Sequence, residues 1–305
     1  MTRVAAIDCG TNSVRLLIAD IVDGRLTDLE RRMEIVRLGQ GVDQTGTLAP
    51  EALERTFSAM RGYAKLIDLH GAEKTRVVAT SATRDARNRA DFVNGVLEIF
   101  GVAPEVISGD EEAHLSFTGA TSDLVERRQI RPYLVVDIGG GSTEFVLGSS
   151  SVQAAKSVDI GCVRMTERHL QGDPPTPDQF ADAVADIDAG LRAAREVVPV
   201  DEARTLVGLA GSVTTVAGMA LELPAYDPEK IHLSRITAEK VHAITKRLMH
   251  ASRAERAAVP VMHPGRVDVI AAGALILDRI MREFNFGAVV VSEHDILDGI
   301  AWSLV

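Results

Sequence analysis

The sequence predicts an α/β protein of two domains, and three observations support this. The chain has 305 residues, which suits one large domain or two of about 120–180 residues each. Apolar stretches of strand length alternate with segments of helical spacing. A short motif occurs twice, at the start of the chain and near its middle. We expect residues 1–122 to form the first domain and 123–305 the second, with the last helix able to pack back on the first.

The composition is that of a globular protein, with 46% apolar and 25% charged residues. A formal net charge of −10, from 43 acidic and 33 basic residues, argues against nucleic-acid binding.

Cys9 and Cys162 offer neither a disulfide framework nor a metal-ligand spacing, so we expect a cytoplasmic protein. No secretory pattern opens the chain. The apolar run at 269–277 is about half of a membrane span, so we expect no membrane association.

The repeated motif reads Asp-x-Gly-x-x-Ser-x-charged-apolar. Without a gap, "DCGTNSVRLLI" at 8–18 aligns with "DIGGGSTEFVL" at 137–147. Each copy follows one apolar strand candidate and leads into another, so each predicts a strand, a tight polar turn and a return strand. The spacing favours two duplicated domains facing one another. The alternative is a chance match between residues that are common in turns.

The rest of the first half alternates in the way an α/β chain should. Residues 50–71 have helical spacing and a glycine stop, and 76–82 are typical of a buried strand. A helix near 85–100, a short strand near 104–108 and a helix from about 110 to 121 follow.

The second half continues the alternation after the second copy of the motif. In the loop at 172–180, Thr176 and Pro177 are suited to cap a helix running to about 198. The elements expected after it are a strand at 204–208, helices near 213–221, 237–250 and 265–284, a strand at 287–292 and a closing helix.

Three glycine-containing loops predict phosphate binding, because bare backbone lets successive N–H groups converge on an anion. Their candidate ligands are Thr11, Asn12 and Ser13 in the first loop, Gly139, Gly140, Gly141 and Ser142 in the second, and Gly211 and Ser212 in the third. The third loop ends a strand and can open a helix. The second loop fits neither the Walker motif nor the dinucleotide fingerprint. Ordinary hairpin turns and a Gly-Ser helix cap are the alternatives.

An aspartate stands at the mouth of each of the first two loops, Asp8 and Asp137. Magnesium prefers a few carboxylates together with phosphate oxygens. The two aspartates therefore predict a metal ion, held directly or through its waters, and the three loops together predict one phosphate cleft.

Eight segments resemble a known family. In chain order they are "AIDCGTNSVRLLIAD", "VVATSATRDARN", "VISGDEEAHLSFTGA", "LVVDIGGGSTEFVLG", "DIGCVRMTE", "GLAGSVTTVAGM", "PGRVDVIAAGALIL" and "VSEHDILDGIAWSL". They are similar, over nearly the whole chain, to the exopolyphosphatase and guanosine pentaphosphate phosphohydrolase family. The resemblance implies two ribonuclease-H-like domains of the actin, sugar kinase and heat-shock chaperone superfamily, flanking a phosphate-binding cleft. It also implies a homodimer.

The resemblance also implies roles for single residues. Glu112 matches the family's catalytic glutamate, a general base that deprotonates the attacking water. Without the resemblance, acids in a first helical turn serve the helix dipole and cap. Glu144 matches an acidic position linked to metal or water binding, and a solvated strand carboxylate is its alternative. Arg84, after a strand end, is suited to bind phosphate oxygens in pairs. The roles of four further arginines stay open: Arg87, Arg89, Arg164 and Arg266.

The predicted function is a Mg²⁺-dependent exopolyphosphatase, with other divalent cations able to replace Mg²⁺, that hydrolyses the terminal phosphoanhydride of inorganic polyphosphate. Hydrolysis of guanosine pentaphosphate is the alternative, because the same motifs would serve it. A non-catalytic sensor of polyphosphate or an alarmone is an alternative of another class, which the retained Glu112, Asp137 and Ser142 argue against. A kinase-like relative shares the fold, but the "GDEEA" segment favours water as the acceptor.

Overall fold

The computed structural model describes residues 1–121, 124 and 129–305. The strands are β1 Thr2–Cys9, β2 Ser13–Val22, β3 Arg25–Ile35, β4 Lys74–Ala79, β5 Glu105–Val106, β6 Tyr133–Ile138, β7 Thr143–Gly148, β8 Val152–Val158, β9 Thr205–Leu209, β10 Arg235–Thr237 and β11 Ala288–Val291. The helices are α1 Val42–Thr45, α2 Pro50–His70, α3 Ser81–Asp85, α4 Arg89–Phe100, α5 Gly109–Thr121, α6 Cys162–Arg168, α7 Pro177–Arg195, α8 Ala210–Ala220, α9 Pro228–Ile231, α10 Ala238–His250, α11 Arg253–Ala257, α12 Ile270–Glu283 and α13 Ile296–Trp302. Short 3₁₀ turns span Val200–Glu202 and Pro264–Arg266.

The described residues divide into two compact units. Unit 1 comprises Met1–Gly119 and Ile296–Val305, and unit 2 comprises Ala120–Asp295. The C-terminal helix α13 therefore belongs to unit 1. The boundary expected between residues 122 and 123 lies outside the described residues.

Unit 1 is built on a five-stranded mixed sheet with the order β3-β2-β1-β4-β5. Strand β1 is antiparallel to β2 and parallel to β4. Its apolar run is buried on both faces of the sheet, as expected for a central strand. Ala5 and Ile7 pack into one core, whereas Val4 and Ala6 pack into another that includes Ile300 of α13. The alternation along β1 thus connects the two cores of this unit.

Helix α13 packs very closely within unit 1. A Cβ atom added at Gly299 would lie 2.0 Å from the carbonyl oxygen of Leu115 in α5. On the same helix the buried Asp298 carboxylate accepts a hydrogen bond from Arg31 of β3 at 2.6 Å. Only a residue without a side chain allows this approach, and the ion pair fixes the helix to the sheet.

We expect Gly299→Ala to lower the free energy of unfolding by about 1–3 kcal/mol, because the added methyl group forces the backbone apart. Urea denaturation measures this. Gly62→Ala is the matched control, since Gly62 lies on α2 with nothing within 4 Å of the added atom. It should be neutral or stabilising by up to about 1 kcal/mol. Equal destabilisation by both substitutions would contradict the close contact.

Unit 2 is built on a six-stranded mixed sheet with the order β10-β11-β9-β6-β7-β8. Read from β8, the first five strands repeat the order of unit 1, with β8, β7, β6, β9 and β11 in the places of β3, β2, β1, β4 and β5. Strand β6 is antiparallel to β7 and parallel to β9, as β1 is to β2 and β4. Strand β10 is an addition at the edge. The helix α12, apolar and almost wholly buried, packs against α6, α7, α8 and α10.

Most of the predicted elements are present, and two of them differ at one end. The strand expected at 76–82 ends at Ala79, and the helix α3 begins at Ser81. The helix expected from 265 begins at Ile270, because residues 264–266 form a 3₁₀ turn. Thr176 caps α7 through a reciprocal capping box with Gln179, as its position before Pro177 predicts. In the described part of the chain, no helix combines the length and apolar character needed to cross a bilayer.

Candidate functional site

The two copies of the repeated motif form hairpins with the same construction. In the first, the Gly10 amide donates to the Ser13 carbonyl at 3.0 Å. In the second, the Gly139 amide donates to the Ser142 carbonyl, also at 3.0 Å. The flanking strands pair in the same register, with the aspartate of each copy opposite the residue seven positions later. The sequence repeat is therefore a structural repeat.

The first loop is held from one side by the segment that follows β3. The Thr11 carbonyl accepts from the Gly39 amide at 2.8 Å, and the Asn12 carbonyl accepts from the Val36 amide at 3.1 Å. In a planar trans peptide, a carbonyl and the next N–H point in opposite directions. The amides of Asn12 and Ser13 therefore point away from the supporting segment, and consecutive amides directed to one side are suited to bind an anion.

The second loop is held in the same way by the start of α6. The carbonyls of Gly139, Gly140 and Gly141 accept from amides of the segment 161–163 at 2.9, 2.9 and 3.2 Å, respectively. By the same geometry, the N–H groups of Gly140, Gly141 and Ser142 point away from α6. In each unit, therefore, the loop carbonyls accept hydrogen bonds from a supporting segment, and the loop amides point away from it.

A glycine in each supporting segment makes this contact sterically feasible. A Cβ atom at Gly161 would lie 2.3 Å from the carbonyl carbon of Gly140, and one at Gly39 would lie 2.4 Å from Cγ2 of Thr11. Arg164 adds a further bond to the second loop, because its Nε donates to the Gly141 carbonyl at 2.7 Å. This arginine, left open by the sequence, supports the loop.

The side chains of the first loop are buried and polar. The hydroxyls of Thr11 and Ser81 lie 2.8 Å apart and share a hydrogen bond. Asn12 is 9% exposed, and its buried Nδ2 has no hydrogen-bond partner among the described residues. A buried donor left in this state costs about 1–3 kcal/mol, so an acceptor such as a phosphate oxygen would be bound favourably there.

The carboxylates of the two hairpins have different neighbours. Asp8 is 4% exposed, and its Oδ2 accepts from Nη2 of Arg15 at 2.7 Å and from Nε of the same residue at 3.0 Å. Asp137 lies directly opposite Glu144, at 7% and 1% exposure. Ser157 donates to Glu144 at 2.7 Å. No group of three or more His, Cys, Asp or Glu side chains suited to a metal is found within the described ranges.

The third loop opens helix α8, as the sequence predicts. The helix starts at Ala210, so Gly211 and Ser212 lie in its first turn. The guanidinium of Arg266 lies against Gly211, since a Cβ atom there would be 1.8 Å from Cζ. Ser212 is 2% exposed and bonds to the Cys162 thiol. Burial raises the pKa of that thiol, although the bond from Ser212 and the charge of Arg266 oppose the shift. The Ser212 side chain therefore serves the packing of unit 2.

Glu112 and Arg84 form an ion pair in unit 1. Glu112 lies in the first turn of α5 and is 8% exposed. Arg84 of α3 donates through Nη1 to Oε2 of Glu112 at 3.1 Å and to the Ile107 carbonyl at 2.9 Å. The neighbouring Glu111 instead pairs with Arg76 at 2.8 Å, nearer to solvent. The adjacent residues Glu111 and Glu112 thus differ: the carboxylate of Glu112 is buried and oriented, and that of Glu111 lies at the surface.

Two other sequence candidates serve the fold. Arg87 donates through Nη2 to the Thr45 carbonyl at 2.7 Å. Cys9 is 1% exposed, and burial raises the pKa of its thiol well above the usual range, with the charge of Asp8 adding to the effect. The Cys9 side chain is therefore a neutral packing group.

The supporting residues Gly39, Gly161 and Arg15 were not predicted as parts of the site. The two glycines follow apolar residues in "VRLGQG" and "VDIGCVR". This position is the sequence feature that could have marked them, but it does not indicate which loop each glycine contacts. Arg15 stands opposite Asp8, in the position that Glu144 takes in the second copy. Comparison of the aligned repeats could have found it.

The sequence of the chain matches a known family over most of its length. The model of the Ppx/GppA phosphatase family matches residues 17–305. The chain belongs to the Ppx/GppA phosphatase family. Exopolyphosphatase 2 of Mycobacterium tuberculosis is 50% identical over 317 aligned residues, which cover 100% of this chain and 99% of that protein.

Solved structures of Ppx/GppA proteins share the fold. The Aquifex aeolicus PPX-GPPA enzyme is 32% identical with a TM-score of 0.81, and the match covers 99% of both chains. An exopolyphosphatase from Cytophaga hutchinsonii is 26% identical with a TM-score of 0.88, covering 99% of this chain and 97% of that one. These matches confirm the predicted family and the α/β fold of the actin and sugar kinase superfamily.

Proposed function

We propose that this Ppx/GppA protein is a metal-dependent exopolyphosphatase, a hydrolase that removes the terminal phosphoryl group of inorganic polyphosphate and releases orthophosphate. The observation that carries the proposal is the hydrogen bonding of the two hairpin loops. Their carbonyls accept hydrogen bonds from a supporting segment, so their amides point away from that segment. Phosphoryl transfer depends mainly on positioning and charge stabilisation, which preorganised amides supply. The full-length similarity to exopolyphosphatase 2 supports the choice of substrate.

The loops are assigned to the phosphate oxygens of the substrate. In unit 1 the amides of Asn12 and Ser13 would donate to them, together with Nδ2 of Asn12, while Thr11 is bonded to Ser81 and supports the loop. In unit 2 the donors would be the outward amides of the second loop, residues 140–142. The first turn of α8, with Gly211 and Ser212, offers further amides through its helix N-terminus.

Glu112 is assigned the role of general base. A base must be a positioned carboxylate, and the bond from Arg84 fixes the orientation of this one. It would take a proton from the attacking water while the shortened polyphosphate leaves. Among the described residues, the side-chain hydrogen bonds of Arg84 are both donated by Nη1. The other edge of its planar fork is suited to a phosphate oxygen of the substrate.

The donor set of unit 2 fits a divalent cation. Asp137 and Glu144 are directly opposite on neighbouring strands, which places their Cβ atoms about 5 Å apart on one face of the sheet. Two buried like charges at this spacing are unfavourable without a cation. Magnesium is typically bound by one or two carboxylates plus substrate phosphates. The chemistry it supplies when bound is neutralisation of charge on the phosphate oxygens. Asp8, the third carboxylate predicted for metal, already bonds to Arg15 and fits this role less well.

Orthophosphate release tests the proposal. The wild type is incubated with short polyphosphate, long polyphosphate and guanosine pentaphosphate, each with Mg²⁺ and each with EDTA. We expect metal-dependent release that is fastest on polyphosphate. Faster release from guanosine pentaphosphate would make the nucleotide the substrate of the same site. If the protein binds these ligands and releases no orthophosphate, the hydrolase proposal is wrong and the protein is a sensor.

The remaining predictions concern the setting of the enzyme. A cytoplasmic location and a homodimer stay predictions, based on the two isolated cysteines and on the family resemblance, respectively. Light scattering coupled to gel filtration measures the oligomeric state directly.

A further inference from the structure

Three polar residues of unit 2 form a row across three neighbouring strands. Asp137 of β6 lies directly opposite Glu144 of β7, and Glu144 lies directly opposite Ser157 of β8. Directly opposed residues of antiparallel strands place their side chains on the same face of the sheet. The two carboxylates proposed above to bind the metal ion therefore share a face with the Ser157 hydroxyl.

The equivalent row of unit 1 has a different composition. It consists of Asp8, Arg15 and Met33, which lie opposite one another on β1, β2 and β3. There the carboxylate accepts hydrogen bonds from the guanidinium beside it. The row of unit 2 consists of two acids and a serine. Of these three side chains, only that of Ser157 can donate a hydrogen bond to an ionised carboxylate.

The Ser157 hydroxyl bonds to Oε1 of Glu144 at 2.7 Å. An ionised carboxylate only accepts hydrogen bonds, so the hydroxyl is the donor, and this length is typical of a charge-assisted O–H···O bond. Glu144 is 1% exposed, so its orientation depends on protein groups and not on bulk water. The bond occupies one of about four acceptor positions on the carboxylate. It therefore fixes the group without preventing it from binding a cation.

We propose that Ser157 is a positioning residue for the metal site, which holds the Glu144 carboxylate in one orientation through this hydrogen bond. The inference rests on the proposed function, because it takes Asp137 and Glu144 as the metal ligands. Groups that hydrogen-bond to metal ligands typically contribute about 10–100-fold to metal affinity. The metal site thus depends on a third strand, β8, which lies outside the repeated motif.

Manganese binding without substrate tests the role of the hydroxyl. Mn²⁺ is titrated into the wild type, Ser157→Ala and Ser157→Thr, and binding is followed by electron paramagnetic resonance. We expect Ser157→Ala to weaken binding by about 10–100-fold. Ser157→Thr keeps the hydroxyl, and strands accommodate β-branched residues well, so this variant should bind Mn²⁺ like the wild type. Ser151→Ala is the matched control. It makes the same change at an exposed serine next to the start of β8 and should leave Mn²⁺ binding unchanged.

The Mg²⁺ dependence of orthophosphate release gives a second measurement. Ser157→Ala should need about 10–100-fold more Mg²⁺ for half-maximal release. Its kcat at saturating Mg²⁺ should stay near that of the wild type, because both ligands are still present. A loss of kcat at every Mg²⁺ concentration, with unchanged half-saturation, would contradict the proposal. Thermal melting in EDTA confirms that each variant is folded.

Glu144→Gln separates failure of this inference from failure of the proposed function. If Glu144→Gln weakens Mn²⁺ binding but Ser157→Ala does not, the metal pair stands and the role of Ser157 is refuted. The role is also refuted if Ser157→Thr binds as weakly as Ser157→Ala, because the hydroxyl is then not the group that matters. If Glu144→Gln leaves Mn²⁺ binding unchanged, the proposed metal pair is itself wrong, and the inference falls with it.

Discussion

Replacing Glu112 with glutamine should abolish most phosphate release and leave substrate binding intact. Loss of a general base costs about 10²–10⁴ in kcat. Glutamine has the same size, and its carbonyl oxygen can still accept from Arg84, which now donates to Oε2 of Glu112 at 3.1 Å. The substitution therefore removes the proton acceptor and keeps the packing. Single-turnover release of orthophosphate and equilibrium binding of tripolyphosphate separate the two effects.

Glu111→Gln is the matched control for this experiment. It makes the same chemical change one position earlier on α5, where the side chain is turned about 100° away and pairs with Arg76. We expect its kcat to stay within about threefold of the wild type, because exposed ion pairs contribute only about 0–1 kcal/mol. If Glu112→Gln also stays within that range, Glu112 is not the base. If both variants lose activity together, the start of α5 matters as a whole and the single assignment is wrong.

The hairpins were accessible to sequence reasoning because their signal is local. Asp, Gly and Ser at fixed spacing between two apolar runs define a strand, a turn and a strand, and the second copy repeats them. Apolar periodicity likewise marks α2 over Pro50–His70 and β11 over Ala288–Val291 within one or two residues. In these elements the apolar residues of the sequence recur with the period of the backbone hydrogen bonding, so the sequence pattern locates the element.

The supports of the loops were not accessible, because they depend on contacts between distant segments. Strand β3, Arg25–Ile35, is an edge strand rich in charged residues, so it lacks an apolar run. Gly39 and Gly161 reveal their roles only once the segments that hold the loops are placed. The pairing of Arg15 with Asp8 follows from strand register, which an ungapped alignment of the two repeats suggests and only the sheet establishes. Sequence thus predicts the loops better than it predicts what orients them.

Gly161→Ala should disable the second loop by displacing it. The added methyl group would lie 2.3 Å from the carbonyl carbon of Gly140 and 2.4 Å from the amide nitrogen of Gly141. These are backbone atoms, so no side chain can move aside to relieve the contact. The loop must shift away from α6, and the bonds that hold its carbonyls must lengthen. Misplacement of a binding group by about 1 Å can cost about 10²-fold in rate, and we expect a loss of that size in kcat/KM.

The decisive comparison is with Gly287→Ala, in the same unit. Nothing lies within 4 Å of the added atom there, so kcat/KM should not change. Overpacking at Gly161 should also lower the free energy of unfolding by about 1–3 kcal/mol. Activity is therefore measured at a temperature where both variants are folded. If folded Gly161→Ala binds tripolyphosphate and hydrolyses polyphosphate like the wild type, the amides of residues 140–142 do not bind the substrate. If binding is lost while the fold persists, the orientation imposed on the loop by α6 is what makes it a phosphate site.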